Sequence, residues 1–269
     1  DGYVGYKVAL ALIQEDAVNG GAIINDATGV IDFRGERSIG LYTYLPSLQS
    51  KRNMINRGKI FLSGKESYGM KFAATEVAGT VDFVNDTTGT ITLRRNPEGK
   101  DTADNAAAMA LMRDNTITNK VTLTRGKAVN KGNIVLQDNI SNALGMFVNI
   151  NSDMTNEGTI KVSAVAPKVS NQYQFNVAMR ADQADLAYEG ASAGNTEDIK
   201  LTGQGAMGMI ASGISNTKHA IATNNVGATI DIDKEGTATS KDNFGMLATN
   251  QAEVVNKGTI KIGTSRGSV

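Results

Sequence analysis

The chain contains no cysteine and no tryptophan, only 3 prolines and a single histidine in 269 residues. Absence of cysteine excludes disulfides and thiolate-held metals, and is compatible with either a reducing or an oxidising compartment. With His219 alone, no two-histidine metal site can form, and any serine–histidine–aspartate arrangement must use this one residue. An excess of charge is also missing. Lys+Arg 27 balances Asp+Glu 27 for a formal net charge of +0, which argues against a nucleic-acid binder or a basic membrane-surface protein. No apolar run approaches the roughly 18 residues that cross a bilayer, and no charged segment leading into an apolar one opens the chain.

What is present is repetition. Glycine is plentiful at 29, and one phrase returns: Val255-Asn256-Lys257-Gly258-Thr259-Ile260-Lys261-Ile262, Val129-Asn130-Lys131-Gly132-Asn133-Ile134-Val135-Leu136 and Ile55-Asn56-Arg57-Gly58-Lys59-Ile60-Phe61-Leu62. Looser copies at 25–33, 85–93, 156–162 and 225–232 bring the total to seven. Apolar Ile260 and Ile262 alternate with polar Thr259 and Lys261, the period of a strand with one buried face. The Asn and Gly before it are turn chemistry, because Asn bonds local backbone and Gly takes unusual φ at little cost. If the copies stack, the Asn amides are positioned to form a ladder.

A second phrase runs Ile39-Gly40-Leu41, Tyr68-Gly69-Met70, Ala107-Ala108-Met109, Leu144-Gly145-Met146, Val177-Ala178-Met179, Met207-Gly208-Met209 and Phe244-Gly245-Met246, with Val4-Gly5-Tyr6 as a looser first member. With the Gly or Ala as position zero, the residues at −1, +1 and +3 read as inward columns. The +2 column of Tyr42, Lys71, Ala110, Phe147, Arg180, Ile210 and Leu247 reads as outward. The glycines at zero read as a small outward column, either a bulge or corner needing positive φ or a shallow strip for a loop or ligand.

Alternating strands that recur every 29 to 39 residues predict an all-β fold: a parallel β-helix of about eight coils, roughly 35–40 Å long. Helical solenoids need a 3.6 period, which is absent, and only short stretches such as 103–113 and 178–188 have helical composition. The start at Asp1 and the stop in mid-pattern at Val269 lead us to expect one continuous segment, 1–269, of a longer rod.

Several apparent motifs fail their structural tests. Gly203-Gln204-Gly205-Ala206-Met207-Gly208 has dinucleotide-binding spacing, but a Met strand follows where a helix is required, so it reads as a turn. The segment 58–65 has one residue too many between glycines for a phosphate loop, and Glu66 stands where Ser or Thr would bind magnesium. His219 reads as a loop histidine, and the pairs Asp101/Asp104 and Asp182/Asp185 read as solvated charge. No catalytic, cofactor or metal residue is expected. Insertions are expected at about 42–52, 94–105 and 163–200, and loops can vary without disturbing the stack. Their aromatic and basic residues are the candidate ligand contacts: Tyr42, Tyr44, Arg94, Arg95, Lys100, Tyr173, Phe175 and, beside them, Arg180.

The alternation of Phe244-Gly245-Met246 with Val255-Asn256-Lys257-Gly258-Thr259-Ile260, and of the equivalent residues over 144–162, resembles the passenger repeats of type V autotransporters. It is most like the large fusobacterial adhesins of the RadD kind. The resemblance implies a right-handed parallel β-helix displayed at the bacterial surface. A C-terminal outer-membrane barrel, absent from this chain, would anchor it. Its implied partners are host-cell receptors of protein or glycan nature, or other bacteria. A β-helix polysaccharide lyase or hydrolase and a purely structural spacer are the alternatives. The lyase needs clustered acids on one face, and the +2 column contains none.

Overall fold

A computed structural model describes residues 5–13, 21–45, 52–74, 81–99, 101–113, 126–149, 151–165, 168–169, 172–183, 189–215, 217–232 and 242–263. Among them are three eight-stranded parallel sheets, each visited once per turn of the chain. The first coil consists of Lys7–Leu12, Gly21–Asn25 and Val30–Phe33, and the eighth of Phe244–Thr249, Glu253–Asn256 and Thr259–Ile262. Sheet 1 takes the Gly-Met strands: Lys7–Leu12, Ser38–Leu45, Tyr68–Ala74, Ala107–Arg113, Leu144–Val148, Asn176–Asp182, Ala206–Ser212 and Phe244–Thr249. Sheet 2 takes the strands that end in the repeated Asn, and sheet 3 the Ile-x-Ile strands. The fold is an all-β parallel β-helix, and the helical composition at 103–113 and 178–188 yields strands Ala107–Arg113 and Asn176–Asp182.

Each sheet contributes one or two stacked columns to a single core. Met70, Met109, Met146, Met179 and Met209 come from sheet 1, Met54, Phe83, Met154 and Ala193 from sheet 2, and Ile60, Ile91, Ile134, Ile160, Ile199 and Ile230 from sheet 3. All are buried to within 2 %. Each large apolar side chain so buried contributes roughly 1.5–3 kcal/mol before chain entropy is subtracted.

At the corner between sheets 2 and 3, eight side-chain amides form the expected ladder. Asn25 donates from Nδ2 to Asn56 Oδ1 at 2.8 Å, Asn56 to Asn85 at 2.8 Å, Asn85 to Asn130 at 2.7 Å and Asn130 to Asn156 at 2.8 Å. Asn156, Asn195 and Asn224 continue it, each at 2.9 Å, to Asn256. The ladder corrects the sequence reading twice. Asn224, not Asn225, holds the seventh position, and an eighth copy exists at Asn195 with Glu197 in place of the usual Gly.

The first coil is also shifted from expectation. Val8 pairs with Ile39 and Leu10 with Leu41, so Ala9 occupies position zero, while Gly5 (φ +80°) is a turn residue ahead of the strand. Throughout sheet 1 the zero residue is skipped in the pairing, with Ile39 matched to Tyr68 and Leu41 to Met70. Both strands carry the zero residue, so none is extra; every strand instead breaks the pleat at the same place, with zero and +1 both facing inward and −1 outward. A Cβ on Gly40 would lie 3.2 Å from Ile60 Cγ2 inside the coil and 2.4 Å from the carbonyl oxygen of Gly69. Gly145 stands likewise against Ile160 and the Ala178 carbonyl, and Gly208 against Ile230 and the Gly245 carbonyl. The expected outward strip of glycines is therefore an inward column, and close approach rather than positive φ selects Gly there.

Candidate functional site

The insertions are narrower than the sequence suggested. Residues 42–45 complete a sheet 1 strand, and 46–51 lie outside the described residues. Among the described residues of 163–200, a short antiparallel pair, Lys168–Val169 with Gln172–Tyr173, departs from the coil, and Asn176–Asp182, Ser192–Asn195 and Asp198–Gln204 are ordinary strands of the three sheets.

Most of the candidate contacts serve the rod itself. Tyr42, expected to face outward, is wholly buried. Tyr44 and Tyr173 lie in strands whose side chains there are outside the described residues, as is all of Lys100. Arg94 crosses sheet 3: its guanidinium carbon sits 4.3 Å from the Phe61 ring centroid, Nη2 is 2.9 Å from Asp32 Oδ1, and Nε donates to Ser63 Oγ at 3.2 Å. Arg34 pairs with Glu98, and Asn96 Nδ2 donates to the Arg34 carbonyl at 3.1 Å. The loop 94–99 is thereby strapped back onto the first coil, and its exposed Arg95 forms an antiparallel bridge to Thr102. Phe175 meets Phe244 edge-on at 5.6 Å, two coils along the outer face of sheet 1. Arg180 Nε lies 3.0 Å from Asp182 Oδ1. The described side chains among these eight do not converge on one site.

One carboxylate of each pair is engaged as well. Asp104 accepts from Ser141 N at 2.7 Å and Thr102 Oγ1 at 2.5 Å, which braces a turn, and Asp182 holds Arg180. Asp185 lies outside the described residues. His219 is half-buried, with Nε2 3.0 Å from Glu253 Oε2. Gly203 (φ +88°) and Gly205 (φ +78°) form the turn between two strands, as expected. Among the described residues no cluster of three His, Cys, Asp or Glu is placed to hold a metal.

Two features were not anticipated. On the outer face of sheet 1, the Lys71 amine is 4.5 Å from the Tyr68 ring centroid and 5.0 Å from that of Tyr6, and only 7 % of the residue is exposed. Burial pulls this lysine down to about 8 and pushes the Tyr68 hydroxyl up to about 12, the latter with help from neighbouring Tyr6. The second lies on the outer face of sheet 2. There the residue preceding the ladder Asn is Ile24, Ile55, Val84 and Val129 in the first four coils and Val255 in the eighth, but Thr155, Gly194 and Thr223 in coils five to seven. A β-branched ridge is broken by a gap with a hydroxyl on either side. A depression of about 370 Å³ opens there, bounded also by Lys127, Asp153, Ser192 and Asn225.

A family model described as the BigA third pectate lyase-like domain matches residues 2–186 and again 121–268. The chain belongs to this family. The two matches overlap over 121–186, as self-similar coils allow when one model aligns in two registers. BigA domains are parts of bacterial surface proteins, so this β-helix is a bacterial surface-protein domain. "Pectate lyase-like" describes the fold, and fold alone does not carry an activity. No curated protein and no solved structure matches the chain significantly.

Proposed function

We propose that this domain is a displayed segment of an adhesin of the autotransporter-passenger kind, which holds host-cell receptors or other bacteria at the cell surface without catalysis. In this reading the rod is anchored in the outer membrane by a barrel outside this sequence. The observation that carries the proposal is the division of labour within each coil. Inward columns and the Asn corner are nearly uniform along the stack, whereas outward columns and corner loops change from coil to coil. Such a scaffold presents variable surface at fixed spacing, and function resides where the coil varies. The engagement of Asp104 and Asp182 in structural contacts weighs against a lyase or hydrolase.

The test is binding of the purified, labelled chain to host cells and to partner bacteria. Two variants run beside it, one with 95–102 and one with 166–175 shortened to tight turns. Saturable binding by the parent supports the adhesin reading, and its loss in one variant that still folds assigns the contact to that loop. A parent chain that binds neither cell type is a spacer, and the proposal falls.

A further inference from the structure

The break in the sheet 2 ridge gathers polar side chains around bare backbone. At its centre Gly194 presents bare backbone: a Cβ there would point into the depression, 3.3 Å from Asn225 Nδ2. Gly194 is not among the positive-φ glycines, so the backbone does not require Gly at this place. Thr155 and Thr223 flank it one coil to each side, in register. In the neighbouring column Lys127, Asp153 and Ser192 follow one another, and Ser192 Oγ donates to Asp153 Oδ1 at 2.5 Å. Asn225 is fixed from the far side, donating from both N and Nδ2 to the Asn195 carbonyl, at 2.9 and 3.0 Å. Three hydroxyls, a carboxylate, an amide and an ammonium thus surround a gap of a size typical of small-ligand sites, and among the described residues no aromatic ring lines it.

We propose that this notch binds a neutral hexose unit of a glycan. A hexose matches the chemistry: it is both donor and acceptor around its rim, as hydroxyl, amide and carboxylate partners require. The carboxylate of Asp153 and the ammonium of Lys127 offset one another, so the notch has no net charge to favour an acidic sugar over a neutral one. With no stacking ring and an open rim, single-site affinity belongs in the millimolar range, and tight attachment comes from many rods on one surface. This inference deepens the adhesin reading and rests on it only for where the glycan is found.

The experiment is amide chemical-shift titration of the ¹⁵N-labelled chain with D-galactose, D-glucose and D-glucuronate, repeated on Gly194→Val and Asp153→Asn. Gly194→Val restores the residue type of Val129 and Val255 in the same column, and its spectrum verifies the fold. Saturable shifts at the amides of Thr155, Gly194 and Thr223 with a neutral hexose are expected. They should weaken at least about tenfold in Gly194→Val, which fills the gap, and several-fold in Asp153→Asn. Shifts that are absent, equal in Gly194→Val, or stronger with glucuronate than with both hexoses overturn the proposal. An array carrying mammalian glycans and bacterial polysaccharides, probed with parent and Gly194→Val, separates the two sources: loss of signal in the variant on either set supports the site, and equal signal removes it. Cell binding that survives Gly194→Val in full, with no hexose shifts, removes the notch and leaves the adhesin reading standing. Hexose shifts without cell binding do the reverse.

Discussion

Replacing Asn130 by Ala should be among the most costly single changes in the molecule. Asn130 is wholly buried, accepts from Asn85 Nδ2 at 2.7 Å and donates to Asn156 Oδ1 at 2.8 Å. Truncation removes both bonds, at about 1 kcal/mol each, and leaves polar atoms stranded on both sides at about 1–3 kcal/mol per group. Asn85 Nδ2 would retain only carbonyls at 3.4 Å, those of Gly89 and Asn133. The sum is roughly 4–8 kcal/mol. Asn256, at the exposed end of the ladder, only accepts from Asn224, so Asn256→Ala should cost no more than about 1 kcal/mol. Asn130→Asp adds a second discriminator. It can still accept from Asn85, but its second carboxylate oxygen faces Asn156 Oδ1. Its cost should be largest at neutral pH and shrink on acidification, when the protonated oxygen can donate.

Urea unfolding followed by circular dichroism measures these differences for the three variants. If Asn130→Ala and Asn256→Ala destabilise equally, the ladder is decoration at a corner held by other forces, and the reasoning is refuted. The position in the stack matters because each coil of a solenoid touches only its neighbours, so damage at the middle is not shared along the rod.

Lys71 makes stability depend on alkaline pH. The folded amine loses its proton near pH 8 and the unfolded one near 10.5, so between these values the unfolded chain binds more protons and stability should rise with pH. Above pH 10 the unfolded Tyr68 ionises while the folded hydroxyl holds its proton to about 12, which opposes any further rise. Lys71→Met should abolish a rise of roughly 2 kcal/mol between pH 8 and 10, read as the difference between parent and variant unfolding curves. Identical pH profiles would contradict the burial of this amine. Gly208→Val forces a Cβ to 2.4 Å from the Gly245 carbonyl and should cost upwards of about 3 kcal/mol in thermal or urea unfolding; a neutral result would mean the zero column does not face inward. Arg94→Ala should cost only about 1 kcal/mol yet speed amide exchange across 95–99, because it removes the strap to Asp32 and Phe61; unchanged exchange would show that the loop holds itself.

The fold was legible because inward columns alternate and the Asn-Gly corner is nearly invariant from coil to coil. Two misreadings have physical causes. In sheet 1 a break in the pleat, repeated in every strand, places zero and +1 on the same face, which interrupts the period of 2 that assigns faces from sequence, so the −1 and zero columns were exchanged. The copy at Asn195 was missed because Glu197 stands where other copies have Gly, and with it went Gly194, the centre of the notch. The signal was nonetheless in the chain: the residue before the ladder Asn is Val or Ile everywhere except Thr155, Gly194 and Thr223. The chosen contact residues were misjudged for another reason. Aromatic and basic residues in a loop also suit strapping that loop down, and for Arg94 and Phe175 the structure shows that use.

The account rests on eight coils in one register, so that columns separated widely in sequence run straight along the rod. Lys59 and Thr259 occupy the same outward column of sheet 3, six coils apart. The chain has no cysteine of its own, so Lys59→Cys with Thr259→Cys gives a clean pair for nitroxide labels and a double electron–electron resonance distance. A single narrow distribution centred at about 29 Å is predicted from the spacing of adjacent strands. A broad distribution, or a centre displaced by more than one coil spacing, would contradict the stack and with it the assembly of the notch from coils five, six and seven.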